Sequence, residues 1–402
     1  MSQTTTWGEQ TVQAVGEDAA PKDWHTDADE IRRRFSIPAL DVEAFTDQHP
    51  KAIAYPDMVV HEKTPDRTLS TKGTDGLFRG DRDCGKTTFA LNLSARLMDE
   101  NDERVIWRGR KGGSGWLAFA PWTTLYLPSE VEIDATWMDD HADIAMGGGE
   151  AAALDDVVRD VYRYDGIYDL LRELGERPGG TFNVVYPDPL FRDCHEVTKE
   201  TDRGQFAGGL PFTPEHLAGE DDTPTPLTDW WAPFLVARAE HGPFEWTSWV
   251  CDEAGDLFPE HARNEDGRPL YDLIDMLRGV WATSRKRFLS LFMFVHHEAN
   301  LHSELRREFK WRVVMPDGRS NPIAGSRATH PVGFKGDIPM EADLMSGASI
   351  GEALCYTKQR WSFFGWDDIS CSGENADRWL SISTNPDPKR EIKDDAGGEA
   401  SA

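Results

Sequence analysis

Short apolar runs alternate with longer amphipathic runs along most of this chain. The short runs predict buried strands, at 105–107, 182–186, 246–251, 288–295 and 311–314. Apolar residues at helical spacing predict helices, at 88–100, 170–174, 230–238 and 270–281. Buried strands that alternate with helices are typical of a mainly parallel sheet covered on both faces. The pattern therefore predicts a three-layer α/β core.

Two stretches of the core have a less regular pattern. The aromatic-rich segment 116–127 predicts a strand. Segment 139–180 predicts one or two helices, because Leu154, Val157 and Val161 follow helical spacing. We expect the core to occupy 71–384.

The segments outside this pattern are polar. Residues 1–30 predict a flexible acidic N-terminus, and 31–70 an N-terminal extension. The stretch at about 196–228 is rich in Gly, Pro and Thr and predicts an insertion, while 385–402 predicts a disordered acidic tail.

The composition of the 402 residues is strongly acidic, with 71 Asp and Glu against 43 Lys and Arg and a formal net charge of -28. Most of the basic residues are arginine. An acidic, lysine-poor surface resembles that of proteins from salt-accumulating haloarchaea, because carboxylates stay hydrated where molar salt screens their repulsion. An ordinary acidic cytoplasmic protein is the alternative.

The cysteines and the apolar runs indicate in which cellular compartment the protein is expected. The 5 cysteines show no paired spacing, which argues against a disulfide framework or a zinc pattern. The first residues lack a basic-then-apolar signal region, and the apolar run 288–295 is too short to span a bilayer. We expect a cytoplasmic protein without an integral membrane segment.

Residues 80–87 fit the phosphate-binding P-loop pattern G-x-x-x-x-G-K-[ST]. Its candidate nucleotide-binding residues are consecutive: Gly80, Asp81, Arg82, Asp83, Cys84, Gly85, Lys86, Thr87 and Thr88. Lys86 would reach the β- and γ-phosphates, and Thr87 would place its hydroxyl on Mg²⁺. A glycine-containing surface turn is the alternative interpretation. We expect ATP and Mg²⁺ as cofactors.

A metal-holding acid is the second part that such a site needs, and strand 246–251 ends directly before Asp252 and Glu253. Asp252 would hold Mg²⁺, and Glu253 would act as the general base on the attacking water. Adjacent carboxylates at a strand end are also common on plain surfaces. Together with the P-loop, they indicate an ATPase that activates water.

Segment 252–259 resembles the "DEA…FP" stretch of the FtsK/HerA superfamily of DNA-pumping ATPases. This superfamily includes the A32-type genome-packaging ATPases of membrane-containing viruses and the Zot-like proteins of filamentous phages. The resemblance covers roughly 75–365. It implies a RecA-like (ASCE) P-loop core, a ring that is a hexamer, and movement of double-stranded DNA without base reading.

The resemblance also implies two further site residues. His296 or His297 would be the polar sensor at the end of strand 288–295, and His296 fits the downstream spacing better. Arg285 leads the candidates for an arginine inserted from a neighbouring subunit, with Arg287, Arg306 and Arg307 as alternatives. The basic patch 108–111 is either a DNA-facing loop or ordinary loop chemistry.

Three functions remain open from the sequence. The first is a motor that packages viral DNA in the host cytoplasm, docked on a capsid vertex or portal protein, with the virion as a second location. The second is a plasmid or conjugation motor. The third is a Zot-like assembly switch that binds ATP and moves nothing.

Overall fold

The computed structural model describes residues 3–7, 10–14, 25–60, 73–139, 149–201, 208–220, 223–262, 264–265, 268–316, 348–357, 359–370 and 378–384. The strands of these ranges are β1 (Gln3–Trp7), β2 (Gln10–Ala14), β3 (Asp75–Arg79), β4 (Arg104–Arg108), β5 (Thr123–Pro128), β6 (Asp134–Met138), β7 (Glu150–Ala151), β8 (Asp160–Tyr164), β9 (Phe182–Val185), β10 (Thr247–Cys251), β11 (Asn264–Glu265), β12 (Arg268–Pro269), β13 (Leu289–Val295), β14 (Trp311–Val314), β15 (Glu352–Tyr356), β16 (Trp361–Gly365) and β17 (Trp379–Ser383).

The α-helices of the same ranges are α1 (His25–Arg34), α2 (Val42–Gln48), α3 (Ala54–Val59), α4 (Lys86–Asn101), α5 (Leu154–Val157), α6 (Gly166–Glu176), α7 (Cys194–Glu200), α8 (Trp231–His241), α9 (Leu270–Ser284) and α10 (Ser303–Arg306). Short 3-10 helices lie at Gly115–Trp122, Glu215–Leu217, Leu227–Trp230, Ala254–Asp256, Arg285–Arg287 and Glu298–Asn300. No helix in these ranges is long and apolar enough to cross a bilayer.

Ten strands form one sheet in the order β16-β15-β14-β3-β13-β10-β4-β9-β5-β8. Every pair from β14 to β8 is parallel, whereas β15 is antiparallel to both β14 and β16. The other described strands form three small sheets, β17-β6-β7, β1-β2 and β11-β12. The prediction of a mainly parallel sheet is confirmed.

Helices cover both faces of this sheet because successive strand residues point to opposite sides. On β3, Phe78 packs into the cluster that contains α1, α3 and α4, while Leu77 packs into the cluster of α6 to α9. Phe292 and Met293 of β13 divide in the same way. The predicted three-layer core is therefore present, and its central strands are buried on both sides.

The strand at the centre of the nucleotide motif is β3, which leads into the P-loop and α4. It lies between β14 and β13, and β10 follows beyond β13. One strand thus separates β3 from the strand that precedes Asp252, which is the arrangement expected of the predicted RecA-like (ASCE) core. Since β3, β13 and β10 are parallel neighbours, their carboxyl ends lie side by side at the same end of the sheet.

Two predicted elements of the core differ in the structure. Segment 115–122 is a 3-10 helix, and only Thr123–Pro128 forms the strand β5. The helix predicted beyond Leu154 ends at Val157, and 160–164 instead forms the edge strand β8. Helical spacing is misleading here because β8 gains its backbone hydrogen bonds from β5, a partner distant in sequence.

The flanking segments also contribute to the core. Helix α1 crosses the boundary predicted at residue 30 and packs Ala28 and Ile31 beside α4. Helix α7 extends into the predicted insertion. The predicted tail 385–402 and residues 61–70 lie outside the described ranges, so the predictions for them stay predictions.

Asp75 is a buried carboxyl group near the amino end of β3, with 2% of its surface exposed. Burial raises its pKa to about 7, against the opposing effect of Arg285 and Lys310. Arg285 lies 3.7 Å from its Oδ2 atom. The folded state therefore holds a proton on Asp75 that the unfolded chain releases near pH 4.

We expect wild-type stability to fall relative to Asp75→Asn as the pH rises from 5 to 8. Below about pH 4 both states bind this proton, and between about pH 4 and 7 only the folded state keeps it. The stability present at low pH is therefore lost as the pH rises to about 7. Urea unfolding of both proteins should show a difference that changes by roughly 1–3 kcal/mol. The exposed Asp367→Asn serves as the control. A difference that stays constant with pH would contradict the buried protonated state.

Candidate nucleotide site

The loop 80–85 connects β3 to α4 and turns sharply. Asp83 and Gly85 both have left-handed backbone angles, with φ of 60° and 85°. A Cβ atom on Gly80 would lie 2.3 Å from Sγ of Cys84, so a side chain there would require the Cys84 side chain to move. The turn brings the first residue of α4, Lys86, back beneath the loop.

Lys86 is buried under the loop that precedes it, with 8% of its surface exposed. Its Nζ donates to the carbonyl oxygen of Gly80 at 2.9 Å and to that of Asp81. Nζ also lies 3.1 Å from Nδ1 of His296. The ammonium group is therefore fixed between the P-loop and the end of β13.

The remaining loop residues divide into internal and exposed positions. Thr88 donates its hydroxyl to the carbonyl oxygen of Gly85 at 2.9 Å, which closes the first turn of α4. Thr87 is half-buried beside Gly115. Arg82 and Asp83 are exposed, and the Asp81 carboxylate accepts the backbone N–H of Arg82.

The acidic pair follows β10 at the same sheet edge. Burial raises the pKa of Asp252, and the Arg110 guanidinium opposes that rise. Glu253 has a left-handed backbone with φ of 53°, an uncommon conformation for a residue with a side chain. Its Oε1 lies 3.7 Å from Nε2 of His296. The His296 ring thus bridges Lys86 and Glu253.

The structure separates the two histidines. His296 is half-buried between Lys86 and Glu253. His297 is exposed, and its ring nitrogen accepts the backbone N–H of Ala299 at 3.1 Å, which caps a 3-10 helix. Of the two, His296 is therefore the one that lies at the site.

Two arginines from the end of β4 hold the acidic pair, and the sequence motifs assigned them no such role. Buried Arg108 donates to the carbonyl oxygens of Asp252 and Glu253, at 2.8 and 3.2 Å. Arg110 lies 3.1 Å from the Glu253 carboxylate and 3.8 Å from that of Asp252. Only their place in the fold indicates this role, because they lie at and just after the end of β4, which pairs in parallel with β10, the strand before Asp252.

Arg285 lies at the amino ends of the parallel strands, whereas the P-loop lies at their carboxyl ends. It belongs to the 3-10 helix before β13, so a strand length of about 20 Å separates it from the carboxyl end. Arg285 is 47% exposed. It cannot reach the loop of its own chain, and any contact with a nucleotide would require a neighbouring subunit.

An acidic cavity of about 320 Å³ opens beside Glu253 and His296. It is also lined by Asp256, Glu260 and His261. The described residues contain no group of three His, Cys, Asp or Glu arranged to hold a metal ion. Thr87 and Asp252 alone would offer Mg²⁺ one hydroxyl and one carboxylate, which suits an ion that keeps water and phosphate oxygens as its other ligands.

No family model matches this chain, and no curated protein matches it. Solved structures similar to it include the genome packaging NTPase B204 of Sulfolobus turreted icosahedral virus 2 with ATP-γS, at 11% identity and a TM-score of 0.32 over 74% of this chain and 98% of that one. VirB4 of Thermoanaerobacter pseudethanolicus matches at 13% identity and a TM-score of 0.38, over 77% and 92%. The N-terminal domain of zonular occludens toxin from Neisseria meningitidis matches at 10% and 0.26, over 79% and 96%.

The fold can be stated from the chain itself. A phosphate-loop sequence joins the central strand β3 to α4, and the acid-bearing strand lies two positions away in a parallel sheet. The residues of the "DEA…FP" stretch follow directly after that strand. The chain therefore has the fold of the P-loop NTPases.

Proposed function

We propose that this protein is an ATPase of the FtsK/HerA superfamily that moves double-stranded DNA. The observation that carries the ATPase part of the proposal is the contact series from Lys86 through His296 to Glu253, at the ends of three adjacent parallel strands. The movement of DNA rests on the resemblance of segment 252–259 to the FtsK/HerA superfamily. An ammonium group, an imidazole and a carboxylate at one sheet edge supply a phosphate anchor, a phosphate-contacting group and a base.

The proposed reaction is attack of water on the γ-phosphorus of ATP. Glu253 accepts a proton from the water as the new P–O bond forms, and the bond to the β-phosphate oxygen breaks to release ADP. Lys86 neutralises charge on the transferring group, while His296 donates to one of its oxygens. Thr87 and Asp252 would hold Mg²⁺, which would supply positive charge that stabilises the phosphates.

Arg110 restrains Glu253 in this proposal. The Arg110 guanidinium lies 3.1 Å from the Glu253 carboxylate and competes with the attacking water for its oxygens until the pair opens. Both side chains are about one-third exposed, so the pair contributes modestly. Opening of this pair is therefore a step at which DNA can regulate turnover.

The oligomer we propose is a hexameric ring. Arg285 faces away from its own P-loop, and the acidic cavity at Glu253, Asp256 and Glu260 suits a guanidinium from the next subunit. Arg287, Arg306 and Arg307 remain alternatives for that role. DNA would contact the ring through phosphate charge and without base reading.

The cellular role we favour is packaging of viral DNA into a procapsid from the host cytoplasm. It rests on the resemblance to A32-type ATPases and on the acidic, arginine-rich composition typical of haloarchaeal proteins. A capsid vertex or portal protein would be the docking partner. A Zot-like switch would bind ATP without turning it over. A plasmid motor would be distinguished by relaxase or pilus genes next to its own gene.

We expect duplex DNA to stimulate ATP turnover by the wild-type protein in molar salt. Lys86→Ala should weaken ATP binding roughly a hundredfold, since it removes a charge-assisted contact to phosphate. Glu253→Gln should bind ATP normally and lose about 10²–10⁴-fold in turnover. His297→Ala is the matched control for His296→Ala, and only the latter should lose activity.

Two results would contradict the motor. ATP turnover that duplex DNA does not stimulate would contradict the coupling of hydrolysis to DNA movement. Tight ATP binding without turnover would favour the Zot-like switch. Adjacent relaxase or pilus genes would favour the conjugative motor over packaging.

Replacing Arg110 tests the restraint on Glu253. We expect Arg110→Ala to raise ATP turnover without DNA about two- to fivefold, the rate equivalent of the 0.5–1 kcal/mol that such a pair contributes. Arg172→Ala, which removes an exposed arginine on α6, should have no effect. Lower turnover in Arg110→Ala would instead assign Arg110 to the phosphoryl group.

Mixing two inactive variants tests the action of Arg285 across subunits. Arg285→Ala and Glu253→Gln should each be inactive alone. Mixed rings should regain part of the activity, because some interfaces then combine an intact Arg285 with an intact Glu253 on the neighbour. Absence of recovery in mixed rings that mass measurement shows to have formed would contradict a role for Arg285 in trans.

A further inference from the structure

Ile350 and Trp366, which flank the two antiparallel strands β15 and β16 beyond β14, lie against the end of the P-loop. A Cβ atom on Gly85 would lie 3.3 Å from Cζ2 of Trp366 and 3.5 Å from Cγ2 of Ile350. Ile350 is 71% exposed, and Trp366 is half-buried. The two side chains form an apolar surface that continues directly from the glycine before Lys86.

Trp366 is held in place by α4. Its indole Nε1 donates to the hydroxyl of Thr88 at 3.3 Å, and its ring lies 4.8 Å from that of Phe89. The backbone N–H of Trp366 donates to the carbonyl oxygen of Gly351 at 2.8 Å, which links it to the turn that carries Ile350. Both residues thus keep a fixed position relative to the first turn of α4.

The direction of a bound triphosphate follows from the order of the strands. Glu253 and His296, which would act on the γ-phosphate, follow β10 and β13 on one side of β3. Ile350 and Trp366 flank β15 and β16, on the other side of β3. With its terminal phosphate toward Glu253, a nucleoside triphosphate extends its ribose and base toward β14 and beyond.

We propose that Ile350 and Trp366 form the platform for the base of the nucleotide, a further binding site beside the P-loop. This inference rests on the proposed function, because it takes a nucleoside triphosphate as the ligand. A purine placed there covers the exposed Ile350 side chain and the Trp366 edge, and removal of apolar surface from water stabilises the complex. Apolar contact adds affinity through the base alone, independently of the phosphates.

The test compares ATP with inorganic tripolyphosphate, which carries the phosphates without a base. Binding of each, with Mg²⁺, is measured by calorimetry on the full chain. Ile350→Ser and Trp366→Ala should weaken ATP binding about tenfold and leave tripolyphosphate binding within about twofold of wild type. Leu217→Ser removes a similarly exposed aliphatic side chain, 66% exposed, and should change neither. Lys86→Ala should weaken both ligands.

The outcomes separate this inference from the proposed function. Unchanged ATP affinity in both variants, or an equal loss of ATP and tripolyphosphate, overturns the base platform while the wild-type affinity for ATP upholds the nucleotide site. A wild-type protein that binds neither ligand overturns both. Ile350→Ser decides the matter if Trp366→Ala fails to fold, because the exposed Ile350 contributes little to the core.

Discussion

The placement of the Lys86 ammonium group is the constraint on which the rest of the site depends. The left-handed turn at Gly85 directs this side chain beneath the loop, where two carbonyl oxygens and the His296 ring surround it. A buried cation needs such partners, since desolvation without them is costly. The same position brings the charge to the edge where Asp252 and Glu253 emerge. The groups that we propose for binding phosphate and for activating water are thereby brought together.

The sheet makes this arrangement possible through its strand order. Because β13 lies between β3 and β10, the His296 ring is interposed between Lys86 and Glu253. Arg108 and Arg110 reach the acidic pair from the next parallel strand, β4. Several neighbouring strands therefore place charged or polar groups at the same end of the sheet, while the alternating apolar residues below fix the strands between two helical layers.

Local sequence predicts those parts that depend on short-range order. The P-loop, the acid pair and the strand ending at His296 could all be identified, because each is a run of residues with its own chemistry. Arg110 and Trp366 could not, since only strand pairing brings Arg110 to the acidic pair and Trp366 to the P-loop. The helix predicted beyond Val157 is wrong for a related reason, as pairing with β5 overrides helical spacing at 160–164. The family resemblance alone suggested Arg285 as a residue that acts on a neighbouring subunit. Its distance from the P-loop of its own chain became visible only in the fold.

The most direct measurement is the structure of the Glu253→Gln protein with ATP and Mg²⁺. We expect γ-phosphate oxygens within hydrogen-bonding distance, about 3 Å, of Lys86 Nζ and the His296 ring, with the substituted side chain at position 253 facing the attacking water. The base should lie against Ile350, on the far side of the loop. A nucleotide bound elsewhere, or one whose terminal phosphate points toward β14, would contradict the central claim that these strand ends form one hydrolysis site.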